Sequence, residues 1–150
     1  MNSKFLIKDG FKNFGEFSSY NIHTRDNSKL NFSGVYVFVL NKEFPRLNGK
    51  TDILYIGQSG SRNGRQIFMR IRDYYNAYKS APQDKRIGDS LKKVKTKIRI
   101  GRTLKNNKLD NKVLIFYKKI SQDKCKSKES SLLKRYSQDH IELPPLNRQQ

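Results

Sequence analysis

The sequence predicts an α+β domain with a small three-stranded antiparallel sheet flanked by helices. Residues 34–40 and 53–57 are β-branched and aromatic runs, and the proline- and glycine-containing turn between them predicts an antiparallel hairpin. A third strand is predicted at 112–120. Apolar residues at helical spacing predict helices at 66–79 and 126–140. Because hairpins replace regular strand–helix–strand alternation, the pattern favours α+β over a parallel α/β sheet.

The rest of the chain has weaker patterns. Residues 1–33 mix scattered phenylalanines with many polar residues, which predicts an N-terminal arm, helical or irregular, packed on a domain that spans 34–150. A helix is predicted at 84–95 and a short strand at 97–101. The 150 residues suffice for one domain. Since no repeat or linker divides them, we expect one structural domain overall.

The charge of the chain is strongly positive and unevenly placed. It has 32 Lys and Arg against 13 Asp and Glu, a net charge of +19, and the segment 84–128 alone carries 16 basic and four acidic residues. Such a segment favours a polyanionic partner. The basic residues fall within strand-like and loop-like segments rather than on one amphipathic helix, so nucleic acid is favoured over a membrane surface.

Several classes of protein are excluded by composition. The longest apolar run, Val35 to Leu40, is far shorter than the roughly 20 residues of a membrane-spanning helix. No apolar segment near the N-terminus is typical of a secretory signal. The single cysteine, Cys125, excludes an intrachain disulfide framework and a cysteine-based zinc site. We therefore expect a cytoplasmic protein without a membrane partner.

Two charged residues lie where apolar ones are expected. Glu129 shares a helical stripe with Leu132 and Tyr136, and Arg70 precedes Tyr74 by one helical turn. A carboxylate in an apolar stripe needs a partner, a proton or a metal ion. Each residue has an ordinary explanation, a helix-dipole contact for Glu129 and a surface position for Arg70. Together in a basic protein they indicate a metal-plus-phosphate site.

Two tyrosines lie inside predicted strands, close to glycines. The Gly-Val-Tyr of residues 34–36 and the Tyr-Ile-Gly of residues 55–57 resemble the signature of the GIY-YIG nuclease family. The resemblance extends over residues 34–147 and implies a three-stranded sheet flanked by helices. The other residues of the family pattern follow in order on two helices and in the proline-containing tail: Arg70, Tyr74, Glu129 and Asn147.

The resemblance implies a divalent-metal-dependent endonuclease that leaves 5′-phosphate and 3′-hydroxyl ends. Glu129 would hold one Mg²⁺ or Mn²⁺ ion, and Arg70 would bind a phosphate oxygen. Tyr36 would act as general base or orient the attacking water, with Tyr55 assisting. A nearby guanidinium and metal ion would lower the pKa of Tyr36. Tyr74 would hydrogen-bond near the base.

The family pattern also includes an asparagine in the C-terminal tail and a lysine directly after the Tyr-Ile-Gly motif. Asn147 would tie the tail to the site. Family members often have Lys where this chain has Gln58, so the phosphate-contacting cation is expected from Arg62 or Arg65. Further basic residues are candidates for DNA contact, arginines for guanine and lysines for the backbone. These candidates are Arg72, Arg86, Lys92, Lys93, Arg99 and Arg102.

Double-stranded DNA is the expected substrate. Homing and phage-type nucleases normally add a separate DNA-binding domain, and repair nucleases usually work within a larger protein. A chain of 150 residues therefore favours a sequence-specific type II restriction enzyme, for which a homodimer is the usual way to cut both strands. The phage, mobile-element and repair roles stay open as alternatives.

Three other interpretations of the sequence compete with a GIY-YIG nuclease. A PD-(D/E)xK nuclease built on Asp110 and Lys112 lacks an upstream Asp on a strand. His23 and His140 are not at metal-ligand spacing, which argues against a His-metal nuclease. A non-catalytic nucleic-acid-binding module that keeps the fold is the remaining alternative.

Overall fold

The computed structural model describes residues 1–19, 30–60, 64–81 and 96–147. No helix in these ranges is long and apolar enough to cross a membrane. In chain order the elements are α1 (Ser3–Lys8), β1 (Lys12–Glu16), a 3₁₀ turn (Phe17–Ser19), β2 (Gly34–Pro45), β3 (Lys50–Gln58), α2 (Ile67–Ser80), α3 (Thr96–Asn106), β4 (Val113–Lys119) and α4 (Gln122–His140).

The sheet is antiparallel throughout, which agrees with the predicted α+β class. Within the described ranges its strand order is β1-β4-β2-β3, so these ranges form four strands rather than the predicted three. The additional strand, β1, comes from the residues predicted to form an N-terminal arm. Its sequence is largely polar and contains Gly15, where the register with β4 shifts. Because backbone pairing rather than an apolar face holds this edge strand, its side-chain pattern gave no strand signal.

Alternate residues of β2 face two separate hydrophobic cores. Val35, Val37 and Val39 belong to one core, which α4 completes with Leu132 and Tyr136. The other core lies under α2 and α3, and it includes the members Tyr36, Phe38, Tyr55, Ile71, Tyr74, Ile100 and Leu104. The sheet therefore separates two hydrophobic cores, one of which contains the tyrosines of both sequence motifs.

The short strand predicted at 97–101 is wrong, because this segment begins helix α3. Isoleucines at alternate positions gave it a strand-like pattern, but Ile100 and Leu104, four residues apart, are the ones that are fully buried. A Cβ atom on Gly101 would lie 2.6 Å from the backbone nitrogen of Tyr78, so glycine allows α3 to pack closely on α2. The helix predicted at 84–95 lies outside the described residues.

Candidate active site

Three tyrosine hydroxyls meet under the sheet. The Tyr74 hydroxyl lies 2.9 Å from that of Tyr36 and 3.0 Å from that of Tyr55, so it bridges the other two. The three residues come from α2, β2 and β3, and all three are buried. The structure thus brings the tyrosines of both sequence motifs and of the first predicted helix into one hydrogen-bonded cluster.

The two motif glycines make room for this cluster. Tyr36 lies opposite Gly57 in the β2–β3 register. A Cβ atom on Gly57 would stand 2.7 Å from the Tyr36 hydroxyl and 2.8 Å from the Tyr55 ring, so any larger residue would displace both phenols. A Cβ atom on Gly34 would come 2.8 Å from Ile67 at the start of α2, so this glycine lets α2 approach the sheet.

Arg70 lies one helical turn before Tyr74 on the same face of α2. Its guanidinium carbon is 5.9 Å from the centre of the Tyr74 ring, and its charge interacts with the oxygens of Tyr36 and Tyr74. Burial alone would lower the pKa of Arg70, but the oxygens of Tyr36 and Tyr74 raise it overall, so the side chain stays charged. Its Nε–H is buried without a hydrogen-bond partner in the described part of the chain.

Burial dominates the acidity of the tyrosines. It raises the pKa of Tyr36 well above the usual 10.0, Tyr55 raises it further, and Arg70 offsets only part of the shift. The pKa values of Tyr55 and Tyr74 are also raised, chiefly by burial. The guanidinium acts in the expected direction, but burial outweighs it, so the pKa of Tyr36 is raised overall rather than lowered. At neutral pH the three hydroxyls are protonated and act as neutral hydrogen-bonding groups.

Glu129 approaches this cluster from α4. It is half-buried in the wall of a cavity of about 400 Å³ that Tyr55 and Asn147 also line. Burial raises the pKa of Glu129, and the charges of Arg70 and Lys126 partly oppose that shift. The Glu129 charge in turn raises the pKa of Tyr55. The carboxylate is thus electrostatically coupled to both the guanidinium and a phenol of the cluster.

The carboxylate of Glu129 is free to take a cation. Among the residues that the structure describes, no basic group lies within ion-pair distance of it. The same residues contain no group of three or more His, Cys, Asp or Glu side chains that could enclose a metal ion. A single carboxylate facing a roomy cavity suits Mg²⁺ or Mn²⁺, since Mg²⁺ keeps several water ligands and binds substrate phosphates. The residues present therefore fit the expected ion.

Asn147 fixes the tail to the outer edge of the sheet. Its side-chain amide donates to the Ile56 carbonyl at 2.8 Å, and its side-chain oxygen accepts from the Ile56 N–H at 3.0 Å. One residue earlier, the Leu146 N–H donates to the Leu54 carbonyl at 2.9 Å. The tail thus continues the sheet beside Tyr55, and Asn147 acts on the backbone that carries this phenol.

Comparisons with protein-family models, with curated proteins and with solved structures find no match for this chain. The GIY-YIG interpretation therefore depends on the residues quoted above and on their arrangement in space.

The residues suggested for DNA contact are scattered. Arg99 lines the cavity, and its guanidinium donates to the Leu146 carbonyl at 2.5 Å. Arg65 lies 3.8 Å from the Asp73 carboxylate, and neither residue lines the cavity. Arg99 is thus part of the site and supports its tail, which differs from the base-reading role suggested by its residue type.

The other suggested contacts contribute less to the cavity. Arg72 lies over the Phe68 ring, 5.8 Å from its centre. Arg102 and Gln58 each have a buried polar atom, Nε and Oε1, without a partner in the described ranges, and neither residue lines the cavity. The remaining suggested residues lie outside the described residues: Arg62, Arg86, Lys92 and Lys93.

Sequence reasoning missed part of the cavity wall. Ser130, Lys134 and Ser137 of α4 line it beside Glu129, and Thr96 at the start of α3 faces them. Counting three, four and seven residues onward from Glu129 finds Leu133 of the lining but not these three residues, which share a stripe of their own at spacings of four and seven. Thr96 could not be found this way, because its segment was predicted to precede a strand.

Proposed function

We propose that this chain is a metal-dependent DNA endonuclease of the GIY-YIG type. The observation that carries the proposal is the convergence of three groups from distant parts of the chain. Glu129 and Tyr55 line the same cavity. Tyr55 is hydrogen-bonded to Tyr74, and Arg70 lies beside the Tyr74 ring. Glu129 is coupled electrostatically to Arg70 and to Tyr55. A phosphate-binding cation, a metal-binding carboxylate and phenols gathered in this way are what phosphodiester hydrolysis needs.

Each residue has a distinct role in this mechanism. Glu129 binds the divalent ion, which when present stabilises charge on the phosphate and the leaving 3′ oxygen. Arg70, a charged guanidinium beside the tyrosine cluster, binds a non-bridging phosphate oxygen. Tyr36 orients the attacking water as a neutral phenol, because burial keeps its proton in place. Tyr74 positions the Tyr36 and Tyr55 hydroxyls by hydrogen bonding to both, at 2.9 and 3.0 Å from its own hydroxyl.

The proposed products are 5′-phosphate and 3′-hydroxyl ends on double-stranded DNA. Within this class we favour a sequence-specific type II restriction enzyme that acts as a homodimer. The net charge of +19 supports a polyanionic substrate.

The test is plasmid cleavage by the purified chain with Mg²⁺ or Mn²⁺ and with a chelator. We expect nicking or cutting only with the metal ion. Glu129→Gln should abolish cleavage while DNA binding in a gel-shift assay is retained. The control Asp123→Asn removes the same charge from an exposed position in the first turn of α4 and should cleave like the wild type.

Two results would contradict the proposal. The first is full cleavage by Glu129→Gln. The second is a wild-type protein that retards DNA in a gel but leaves it intact with either metal ion, which would identify a non-catalytic binding module. Discrete fragments from a DNA of known sequence would support the restriction-enzyme role, whereas a smear would indicate cleavage without sequence preference.

A further inference from the structure

A second concave surface extends from the other side of α4 to strands β1 and β4. It consists of two hollows of about 330 and 150 Å³, the larger against α4 and the smaller against β1 and β4, and Lys118 lines both. Within the described residues, neither hollow has an acidic residue in its lining. We call this surface the lysine face and define it by the five lysines that line it: Lys12, Lys118, Lys119, Lys124 and Lys128.

Helix geometry separates the lysine face from the cavity. Lys124, Lys128 and Ser131 line the larger hollow at spacings of four and seven residues, which is one stripe of α4. Ser130 and Ser137 line the cavity seven residues apart on another stripe. At about 100° per residue, the second stripe is roughly opposite the first. The side of α4 between them therefore stands as a ridge with a concave surface on each side.

Two lysines of this face, Lys118 and Lys128, are held in place by the fold. The Asp9 carboxylate lies 2.7 Å from the Lys128 amine and 3.6 Å from that of Lys118. The Lys118 amine also donates to the Asp9 carbonyl and lies 5.9 Å from the centre of the Phe11 ring. Because Asp9 balances only one of the positive charges, the surface stays cationic. Ordered side chains lose less conformational freedom when they bind an anion.

We propose that the lysine face binds the phosphate backbone of the same DNA duplex whose scissile phosphate enters the cavity. The choice of duplex DNA as the partner depends on the proposed function. Among the residues that the structure describes, the two hollows offer lysine amines and serine hydroxyls but no arginine, a composition suited to phosphates rather than base edges. A helix with its side chains is about 10–12 Å across, and the major groove is about 12 Å wide. A duplex that crosses the ridge can therefore place one backbone at the cavity and the other on the lysine face.

The test compares two variants that each remove two positive charges. Lys12→Gln/Lys124→Gln takes one exposed lysine from each hollow and leaves the Asp9 contacts intact. The control Lys42→Gln/Lys50→Gln removes two exposed lysines from the β2–β3 hairpin, at the other end of the sheet. Binding of a labelled duplex is measured by fluorescence anisotropy over a series of salt concentrations in the presence of a chelator, so that cleavage plays no part.

We expect the Lys12/Lys124 variant to bind the duplex about tenfold more weakly and its salt dependence to be shallower by about 2, since each phosphate contact contributes about 0.9 to the slope. The control should match the wild type. Equal slopes of log affinity against log salt for the two variants would overturn the proposal. Binding to poly-glutamate, a polyanion without phosphates, is measured in the same way. If the Lys12/Lys124 variant lost binding to poly-glutamate but not to DNA, the proposal would also be overturned. If the expected binding loss appears in a protein that does not cleave, the lysine face stands and the nuclease proposal fails.

Discussion

Along β2 and β3, neighbouring residues face two different interiors. Tyr36 and Tyr55 point into a core where hydroxyls bond to one another beside Arg70. Val37 and Ile56 point into the other core, which is made of apolar side chains together with Tyr136. The face that holds Val37 and Ile56 has a packing role. The tyrosine face holds buried polar groups, whose contribution to stability depends on complete hydrogen bonding. We infer that stability and chemistry are divided between opposite faces of the same two strands.

The largest effect on stability is expected from the face that holds Val37 and Ile56. Ile56→Ala removes a fully buried side chain and should lower the free energy of unfolding by roughly 2–5 kcal/mol, as measured by urea titration. Cleavage per folded molecule should stay close to wild type, because the backbone groups of Ile56 that bind Asn147 are kept. Ile7→Ala, at an exposed isoleucine, is the control and should change stability little. A large loss of cleavage per folded Ile56→Ala molecule would contradict the division of roles.

On the tyrosine face, Arg70→Lys should leave the fold intact and reduce cleavage by about 10²–10³-fold. Lysine keeps the charge but lacks the planar fork of donors that can hold a phosphate. Arg72→Lys, two residues along α2, should stay within a few-fold of wild type because Arg72 lies over the Phe68 ring rather than beside the tyrosine cluster. The check is the cleavage rate at saturating DNA. Similar losses in both variants would indicate a general effect on α2 rather than a role for the guanidinium of Arg70.

The sequence predicted those elements of the fold whose patterns can be recognised from neighbouring residues. The aromatic and β-branched run of β2 and the apolar spacing of α2 identify their elements from neighbouring residues alone. Strand β1 and helix α3 have no such local pattern. Strand β1 is held by backbone pairing to β4, and α3 is held by the apolar face that packs against α2. Both depend on a distant partner, which a single sequence does not reveal.

The candidate site shows the same limit. The resemblance named Tyr36, Arg70 and Glu129 because each lies in a short motif or at a helical spacing that can be read along the chain. The direction of the Tyr36 pKa shift could not be predicted, because the burial that outweighs Arg70 depends on the packing of α2 onto the sheet. Likewise, Lys134 reaches the cavity only because α4 packs beside the edge strand β3.

A smaller effect is expected when one hydroxyl of the cluster is removed. Tyr36→Phe keeps the ring in the core, so the free energy of unfolding should fall by only about 1 kcal/mol. Cleavage should fall by about 10²-fold because the attacking water is no longer oriented. Tyr117→Phe is the control on β4, where Tyr117 pairs with Tyr36 in the register and is only half-buried. Equal cleavage rates for the two variants would remove Tyr36 from the mechanism.

The smallest effect should appear as a dependence of stability on alkaline pH. Burial raises the pKa of Tyr36 and Tyr74 above 10.0, so the folded chain keeps protons that unfolded tyrosines release near that pH. The free energy of unfolding is then full below about pH 10 and declines as the pH rises toward the folded-state pKa values. Urea titrations between about pH 8 and 11 should show this decline in the wild type and a shallower one in Tyr36→Phe, which has one fewer buried phenol. Parallel declines in the two proteins would mean that the Tyr36 proton is not held by burial, and the phenol would then be available as a base rather than as the neutral group that orients water.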